Sequence, residues 1–472
     1  MGCEPIDVAE LFAGVGGFRL GLEGKPDSPD EKLFKIVFSN QWEPGRKKQW
    51  ASDIYQLRFG EQGHTNQDIH QITDGKKSTR ARISQYIPPH QLLVGGFPCQ
   101  DYSVARTTSG ELGIEGEKGK LWIPIKRIIQ HMNPRPAVIF LENVSRLLNS
   151  PAKSRGLNFS VILGDLINLG YDVEWRVITA SEYGFPQKRK RVFIMAYNTN
   201  LSKADELLPK ISHDEVDDWI LGKESSKKIS PFTSAFPVEK ILQIKQEKIP
   251  SNLSSFSDKQ SVYNSTGYAS KSMFWTAKVI PRYHGKEKIL GDILQTNVDN
   301  RFLIDSSRLE EWRYMKGSKN EFRLRKRDRS KVDKSLVQLY DKCMTSPFNK
   351  RKKIWAQNRS VFEDAVGVDS FYKYNEGTMD FDKKTKPSRT IITAEIGKTP
   401  SRSRHIIQGD NGLYRRLTPV EVERLNGFPD DWTKIEGITD STRGFLMGNA
   451  LVIGIIERLR NPLAEIIQSL TK

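Results

Sequence analysis

Residues 7–18 read DVAELFAGVGGF, an apolar stretch that runs directly into a glycine-rich turn. The apolar residues predict a β-strand over residues 7–12, and the turn leads into a predicted helix. The glycines Gly14, Gly16 and Gly17 let a ligand approach the backbone, and the amino end of a helix offers free N–H groups. Alone, such a turn serves many nucleotide-like ligands, and some examples are only tight connections.

Further apolar stretches of strand length follow this one, with amphipathic stretches between them. The predicted strands are residues 7–12, 35–40, 91–95, 137–142, 172–177 and 191–197. Helical spacing of apolar residues marks residues 120–131 and 159–169. This alternation predicts an α/β fold, a parallel-rich sheet with helices on both faces. In such sheets, ligands bind beyond the carboxyl ends of the strands.

Composition narrows the class of protein. The 472 residues suit two or three domains, and the absence of an apolar run of 18 residues excludes a transmembrane helix. Only Cys3, Cys99 and Cys343 occur, which argues against a disulfide framework and predicts a reducing, cytoplasmic location. Lys and Arg number 74 against 57 acidic residues, and the net charge of +17 favours a polyanionic partner such as nucleic acid.

The middle of the chain, residues 200–390, is rich in Lys, Ser and aromatic residues with weak periodicity, and predicts a second domain of irregular structure with short strands. Within it, residues 316–356 hold 14 Lys or Arg and 4 acidic residues, a net charge of +10. Aromatic residues lie in or beside this segment: Trp312, Tyr314, Phe322, Tyr340, Phe348 and Trp355. Basic and aromatic residues together are typical of a surface that follows phosphates, although a solvated charged face has the same composition.

Three further motifs carry reactive groups at predicted strand ends. Gly96-Phe97-Pro98-Cys99-Gln100 follows the strand 91–95 and presents a thiol at its carboxyl end. Glu142 ends the strand 137–142, where a partly desolvated carboxyl group is a candidate acid or hydrogen-bond donor. Gln187, Arg189 and Arg191 alternate along one face of a strand, and arginines so placed can bind a phosphate or a polarised carbonyl oxygen.

Together these motifs resemble those of the DNA (cytosine-5)-methyltransferases, in particular the bacterial modification enzymes. The matching segments, in the family's order, are Phe12 to Gly17, Asp68-Ile69, Gly96 to Gln100, Glu142-Asn143-Val144, Gln187 to Arg191, Arg416-Leu417-Thr418, Gly427-Phe428-Pro429 and Gly448-Asn449. They cover most of residues 1–198 and about 385–472, whereas residues 200–385 match only in position. The resemblance implies a Rossmann-like sheet that binds S-adenosylmethionine, together with a smaller target-recognition domain.

The resemblance also implies roles for individual residues. The cofactor would contact Phe12, Gly14, Gly16, Gln41, Trp42, Asp68, Ile69, Pro98, Leu121 and Asn449. The catalytic set would be Cys99, Glu142, Arg189 and Arg191. DNA contacts are expected from Gln100, Ser103 and Gln187, and from Arg325, Lys326 and Arg327 of the basic segment. No metal is expected, because the methyl donor is already electrophilic.

The implied reaction is methylation at C5 of a flipped-out cytosine in a specific double-stranded DNA sequence. Cys99 would add to C6, Glu142 would engage N3 and the amino group, and Arg191 would hold the O2 edge. Two residues depart from the family pattern, because Gln41 and Glu10 replace the more usual acid and Asp.

The expected domains are residues 1–198 for catalysis, 199–433 for target recognition and 434–472 as a helical segment that packs back on the first domain. A kink or break is expected at Pro462. We expect a monomer paired functionally with a restriction endonuclease. The alternatives are a transfer RNA cytosine-5 methyltransferase, whose Cys-Phe-Thr motif this chain lacks, and a catalytically inactive DNA-binding paralogue. A nicotinamide-linked dehydrogenase would give Pro98 and Cys99 no role.

Overall fold

The computed structural model describes residues 4–26, 33–74, 79–97, 121–223, 228, 230–250, 253–316, 320–324, 329–330, 332–365, 371–375, 381–409 and 411–472. The described strands are β1 (Ile6–Leu11), β2 (Phe34–Asn40), β3 (His64–Thr65), β4 (Leu92–Gly95), β5 (Val138–Val144), β6 (Tyr171–Thr179), β7 (Lys190–Asn198), β8 (Val238–Lys248), β9 (Thr266–Ser270), β10 (Met273–Pro281), β11 (Asn320–Leu324), β12 (Phe371–Asn375), β13 (Ile407–Gln408) and β14 (Tyr414–Arg415).

The α-helices are α1 (Gly17–Glu23), α2 (Trp50–Phe59), α3 (Ile69–Thr73), α4 (Thr79–Tyr86), α5 (Trp122–His131), α6 (Leu157–Asn168), α7 (Ala204–Leu207), α8 (His213–Leu221), α9 (Pro231–Ala235), α10 (Leu309–Lys316), α11 (Lys334–Thr345), α12 (Phe348–Gln357), α13 (Arg359–Asp364), α14 (Pro419–Asn426), α15 (Asp440–Asn449) and α16 (Ile453–Thr471). Short 3-10 helices span Ser145–Asn149, Ala180–Tyr183, Leu253–Ser255, Leu290–Ile293, Asn300–Phe302 and Ser306–Arg308. No helix in the described ranges is both long enough and apolar enough to cross a bilayer.

The described strands β1 to β10 form one sheet in the order β3-β2-β1-β4-β5-β7-β6-β9-β10-β8. Neighbouring strands are parallel from β3 to β5, and every later pair is antiparallel. The fold is therefore α/β with a Rossmann-like half, and each of the six strands predicted from sequence is present. The topological switch lies at β1 and β4, where strand order reverses and doubly wound sheets bind ligands.

Helices cover both faces of the sheet, as the alternation of side chains in β5 shows. Ile139 and Leu141 belong to a buried cluster that includes residues of α3, α5 and α6. Phe140 points to the opposite face, where its ring centroid lies 5.4 Å from that of Phe18 in α1 and 6.2 Å from that of Phe232 in α9. Burial on both faces explains why the sequences of the central strands are almost continuously apolar.

The chain divides into two compact units. Unit 1 comprises residues 1–294, 384–393 and 419–472, and unit 2 comprises residues 295–383 and 394–418. The boundary predicted near residue 199 is therefore not a boundary between compact units. Strands β8, β9 and β10 continue the main sheet, because β9 pairs with β6 of the first half.

Unit 2 has its own small core, which includes two aromatic residues that the sequence predicted on a nucleic-acid surface. Tyr340 and Trp355 are 9% exposed and pack in one cluster with Leu336, Ile354 and Phe362. Trp312 is buried as well. For these three aromatic residues, the prediction of an exposed stacking surface is wrong, because all three are buried and the rings of Tyr340 and Trp355 belong to the apolar core of unit 2.

The carboxyl-terminal segment also differs from its prediction in one respect. Helix α16 continues through Pro462, so of the expected kink or break the break is wrong. Its apolar face includes Ile456, Leu459 and Leu463, all buried, so tertiary packing holds the helix together across the position where proline removes a hydrogen bond.

Candidate active site

The glycine turn lies between β1 and α1, as the sequence predicted. Phe12, Gly14 and Gly16 all have positive φ, at 54°, 56° and 86°. The N–H of Ala13 donates to the carbonyl oxygen of Asn40 at 3.0 Å, which fixes the turn against the end of β2. A Cβ placed on Gly14 would meet no atom within 4 Å, so space for a ligand is open beside this residue.

Gln41 lies directly after β2 and is 8% exposed. Its Oε1 accepts a hydrogen bond of 2.7 Å from the N–H of Gly14. The amide therefore supports the turn from the neighbouring strand. Trp42 follows it and is half-buried.

Asp68 and Ile69 begin the short helix α3 after β3. Oδ1 of Asp68 accepts a hydrogen bond of 3.0 Å from the N–H of His70, so the carboxylate caps this helix, and Ile69 is buried. Nδ2 of Asn40 donates to the carbonyl oxygen of Gln67 at 2.9 Å. This contact joins the ends of β2 and β3, so the predicted cofactor residues Asp68 and Ile69 follow the strand next to the one that Gln41 follows.

Glu142 and Arg191 form an ion pair at the carboxyl end of β5. Nε of Arg191 lies 2.9 Å from Oε1 of Glu142, and both side chains are mostly buried. A Cβ on Gly96 would lie 3.4 Å from Oε2 of Glu142, so the residues after β4 lie against this carboxylate. Nδ2 of Asn143 donates to the carbonyl oxygen of Phe97 at 3.0 Å, which holds the same connection in place.

Arg189 is buried beside this pair, with 1% of its surface exposed. Its Nη2 donates to the carbonyl oxygen of Gly448 at 3.0 Å, whereas Nε and Nη1 have no hydrogen-bond partner in the described part of the chain. Burial lowers the pKa of the guanidinium to about 9; nearby Arg191 lowers it further, and Glu142 raises it. Arg189 thus links the carboxylate site to the residue before Asn449, the exposed end of α15.

Gln187 occupies a different environment from the one predicted. It is fully buried, its Nε2 donates to the side chain of Asn426 and the carbonyl oxygen of Leu425, and its Oε1 accepts from the N–H of Ile391. With both ends of the amide occupied inside the protein, Gln187 joins three segments of unit 1. This geometry assigns it a structural role in place of the expected DNA contact.

Trp432 provides a second support for the glycine turn, which the sequence analysis did not predict. Nε1 of Trp432 donates to the carbonyl oxygen of Val15 at 2.9 Å across 417 positions of sequence. Arg58 donates to the carbonyl oxygens of Asp431 and Trp432 and so holds the tryptophan segment against α2. Contacts between such distant positions have no local signal in a single sequence.

Glu10, the departure in β1, is buried close to the turn. Tyr55 donates to its Oε2 at 2.9 Å, whereas Oε1 has no partner within the described ranges. Burial raises the pKa of Glu10 to about 8, against smaller lowering effects of Tyr55 and Arg19. Its carboxyl group is therefore largely protonated at neutral pH.

Several predicted residues lie outside the described ranges: Pro98, Cys99, Gln100, Ser103, Arg325, Lys326 and Arg327. Leu121, at the edge of the described region, precedes α5 and is half-buried. In the described ranges, no group of three or more His, Cys, Asp or Glu side chains is arranged to hold a metal ion.

The reversed strand order and the polar groups at the strand ends are those of an α/β protein of the class that binds nucleotide-type ligands beyond its strand ends. A sequence model of the C-5 cytosine-specific DNA methylases matches residues 6–465, and the chain belongs to this family. It is therefore a DNA (cytosine-5)-methyltransferase, with S-adenosylmethionine as methyl donor and double-stranded DNA as substrate.

Relatives of known name agree with this assignment. The chain is 39% identical to the type II methyltransferase M.Sau3AI of Staphylococcus aureus, over 98% of this chain and 96% of the relative. It is 24% identical to the type II methyltransferase M.BanI of Aneurinibacillus aneurinilyticus, over 96% and 94%. A solved structure, the S. pombe Dnmt2 methyltransferase, superposes with a TM-score of 0.52 at 16% identity and covers 97% of this chain and 99% of that one, which supports the fold.

The strand-end residues fit S-adenosylmethionine. The space beside Gly14 admits a ligand close to the backbone, and a buried amide stands at the end of β2 where doubly wound sheets bind ribose. Phe12 and Trp42, which follow β1 and β2, are half-buried aromatic residues. When bound, the cofactor supplies an electrophilic methyl group on sulfur.

Proposed function

We propose that the chain is the modification enzyme of a restriction-modification system, and that it methylates one cytosine within a specific duplex sequence. The observation that carries this proposal is the Glu142–Arg191 pair beside Gly96, the residue that leads into Pro98 and Cys99. The names of the type II relatives support the biological role. We further propose that the enzyme is a monomer and acts in the cytoplasm on the same DNA as a partner endonuclease.

The target base must leave the duplex, because a stacked cytosine exposes neither face of its ring to a nucleophile. Cys99 as thiolate adds to C6, which places negative charge on the ring. Glu142 contacts N3 and the exocyclic amino group, and Arg191 contacts O2, where the charge develops. After C5 has accepted the methyl group, loss of the C5 proton restores the double bond and expels the thiolate of Cys99.

Arg189 is proposed to act beside this set. Its Nη2 is bound to Gly448, and two buried nitrogens have no described partner. A buried cation here adds to the positive field that favours a negatively charged ring, and at the same time it fixes the segment that carries Asn449.

DNA contacts outside the base pocket are proposed for Gln100 and Ser103, which neighbour the nucleophile in sequence, and for Arg325, Lys326 and Arg327 in unit 2. The middle segment, 199–433, is proposed to contain the target-recognition surface, although residues 199–294 pack in unit 1. Exposed lysines on α11 and α12, such as Lys334, Lys342 and Lys353, give unit 2 a basic surface around its apolar core.

The deciding experiment uses duplex DNA with 5-fluorocytosine, since fluorine at C5 cannot leave as a proton does and the adduct persists. The wild-type enzyme with S-adenosylmethionine should form a covalent complex that survives denaturing electrophoresis. Cys99→Ser should lose both the complex and methyl transfer but still bind DNA. Cys343→Ala is the matched control, because Cys343 packs in the core of unit 2.

Two outcomes would replace the proposal. Transfer by the wild-type enzyme to transfer RNA but not to duplex DNA would favour an RNA methyltransferase, and no transfer to either would favour an inactive DNA-binding paralogue. Sequencing of methylated cytosines in DNA from cells that express the chain would identify the site, and random placement would contradict a modification enzyme.

A further inference from the structure

The side chain of Gln41 is oriented by one described hydrogen bond. The N–H of Gly14 donates to Oε1 of Gln41 at 2.7 Å. Only the oxygen of an amide can accept, so the opposite orientation would set two donors against each other. The glycine turn thereby commits the only acceptor that Gln41 has on its side chain to the backbone of Gly14.

The nitrogen of the same amide is free to bind a ligand. Nε2 of Gln41 has no hydrogen-bond partner in the described ranges. Solvent can reach this atom, because it does not belong to the buried polar atoms without a partner. It therefore offers two N–H donors at the carboxyl end of β2. The open space beside Gly14 lies on the other partner of the same hydrogen bond.

In doubly wound sheets, an acidic side chain in this region accepts hydrogen bonds from the ribose of a nucleotide ligand. We propose that Gln41 binds the ribose of S-adenosylmethionine with the opposite polarity, through Nε2 as donor to a hydroxyl oxygen. A hydroxyl group can accept as well as donate, so the ribose fits either arrangement. The inference rests on the cofactor placement in the proposed function and adds which atom of Gln41 recognises the sugar.

Ligand analogues can distinguish an amide that donates to the ribose hydroxyl from a carboxylate that accepts from it. Because the ribose hydroxyl serves as acceptor, its proton is not needed for this contact. An analogue with fluorine in place of the hydroxyl keeps a weak acceptor, whereas the deoxy analogue keeps none. A carboxylate would respond in the opposite way, since it would face an electronegative fluorine with no proton between them.

Calorimetry with S-adenosylhomocysteine and its 2′ and 3′ deoxy and fluoro analogues tests this directly. For the wild-type protein, the fluoro analogue at the contacted position should bind more tightly than the deoxy analogue, and both should bind more weakly than S-adenosylhomocysteine. Gln41→Glu should bind S-adenosylhomocysteine roughly fivefold more tightly, since one oxygen keeps Gly14 and the other gains a charge-assisted bond. In this variant the fluoro analogue should bind more weakly than the deoxy analogue.

Gln67→Glu is the matched control. Gln67 is exposed, and its carbonyl oxygen accepts from Asn40 at the end of β2. The change therefore adds the same charge near the same strand end without a contact to Gly14. It should leave the order of the analogues unchanged. Gln41→Met removes both polar ends and should weaken binding of every compound, with the difference between the fluoro and deoxy analogues lost.

Each result decides the inference. Weaker binding of the fluoro than of the deoxy analogues by the wild-type protein would overturn it and assign the ribose to an acceptor such as Glu43. Equal binding of all analogues would show that Gln41 does not contact the sugar. If the wild-type protein bound no S-adenosylhomocysteine, the proposed function itself would fail, whereas a wrong order of analogues affects only the polarity. The wild-type series alone decides the question if Gln41→Glu does not fold.

Discussion

Nε of Arg191 lies 2.9 Å from Oε1 of Glu142, and the two residues come from neighbouring antiparallel strands. Glu142 lies on β5, which ends beside Gly96, and Arg191 is the second residue of β7. The pair places an acceptor and a donor side by side, which is the arrangement that the proposed contacts to the edge of a cytosine need. The guanidinium also keeps the carboxylate in one orientation before a substrate arrives.

This pair gives the first prediction. Arg191→Met should lower the rate of methyl transfer by roughly 10²–10³-fold, the usual effect of removing one donor from developing charge. The enzyme should still bind S-adenosylhomocysteine. Single-turnover methyl transfer to duplex DNA measures the effect. Lys190→Met removes an exposed neighbouring cation and should have little effect, and an equal loss in both variants would contradict the assigned role.

The next prediction compares the stability of alanine variants at two glycines of the turn, Gly14 and Gly16. A Cβ on Gly16 would lie 2.2 Å from a ring carbon of Phe59, whereas a Cβ on Gly14 meets no atom. Both residues have positive φ. Gly16→Ala should therefore cost roughly 3 kcal/mol of stability, since a steric clash adds to the backbone strain. Gly14→Ala should cost only about 1 kcal/mol.

For affinity the order of the two variants should be the reverse of that for stability. The folded fraction of Gly14→Ala should bind S-adenosylhomocysteine more weakly than the folded fraction of Gly16→Ala. Gly14→Ala places a methyl group in the space assigned to the cofactor, so calorimetry should show weaker binding of S-adenosylhomocysteine by a nearly stable protein. Urea unfolding measures the stabilities. Equal stability losses for the two alanine variants would mean that Phe59 moves aside without cost.

Glu10 gives a prediction about pH. Burial raises the pKa of its carboxyl group from 4.5 to about 8 in the folded protein. Between these values the unfolded chain loses the proton and the folded protein keeps it, so this group makes the protein less stable as pH rises from about 4.5 to about 8. Below that range both states hold the proton and the contribution is constant.

Glu10→Gln removes this dependence, because an amide resembles the protonated acid and does not titrate. The variant should gain stability relative to the wild-type protein at pH 8, with a much smaller gain at pH 5. Urea unfolding at several pH values gives the difference in unfolding free energy between the variant and the wild-type protein. Burial lowers the pKa values of His64 and His90 to about 4, but such groups are the same in both proteins and their contributions cancel. A constant difference across the range would show that Glu10 is ionised in the folded protein.

Arg443 and Glu423 give a prediction about the carboxyl-terminal segment. Nη2 of Arg443 donates to Oε1 of the fully buried Glu423 at 2.9 Å, and the N–H of Thr433 donates to the same oxygen at 2.9 Å. Arg443→Met should cost roughly 3–5 kcal/mol, since it leaves a buried carboxylate without its cation. Lys434→Met, at an exposed neighbour, should be nearly neutral in the same unfolding experiment. The double change Arg443→Met with Glu423→Gln should recover much of the loss, because the amide oxygen still accepts from Thr433 and carries no charge.

Much of this architecture follows from local sequence pattern. The strand that ends at Leu11 and the helix that begins at Gly17 lie where the apolar run and the glycines predicted them. The order of motifs along the chain indicates the family without any tertiary contact. Local patterns succeed here because a parallel strand buried on both faces must be apolar throughout.

Other features depend on contacts that no local pattern contains. Gln187 reads as a polar residue on an arginine-rich strand, but partners from residues 391, 425 and 426 enclose it. Tyr340 and Trp355 read as stacking residues among lysines, yet a small unit with few apolar residues needs them in its core. Strand β9 shows no sign in sequence that it pairs with β6. In each case the decisive partner is distant along the chain.

The basic segment of unit 2 gives the last prediction. If Arg325, Lys326 and Arg327 contact phosphates, each releases condensed counterions on binding, and replacement of all three with Ala should make the slope of log K against log salt shallower by up to about 3. Affinity should fall on every duplex while the methylated site stays the same, because phosphate contacts position the protein without reading sequence. Binding of S-adenosylhomocysteine should not change.

The control removes the same charge from unit 1. Lys35, Lys153 and Lys472 are exposed in unit 1 and lie outside residues 199–433, and their replacement with Ala should leave the salt slope nearly unchanged. Fluorescence anisotropy at several salt concentrations compares the two triple variants. Equal salt slopes in the two triple variants would mean that the loss of net charge alone explains the change in slope. Residues 325–327 would then be assigned to a solvated face. A changed methylation site would show instead that at least one of the three contacts a base edge, which moves the segment from positioning to recognition.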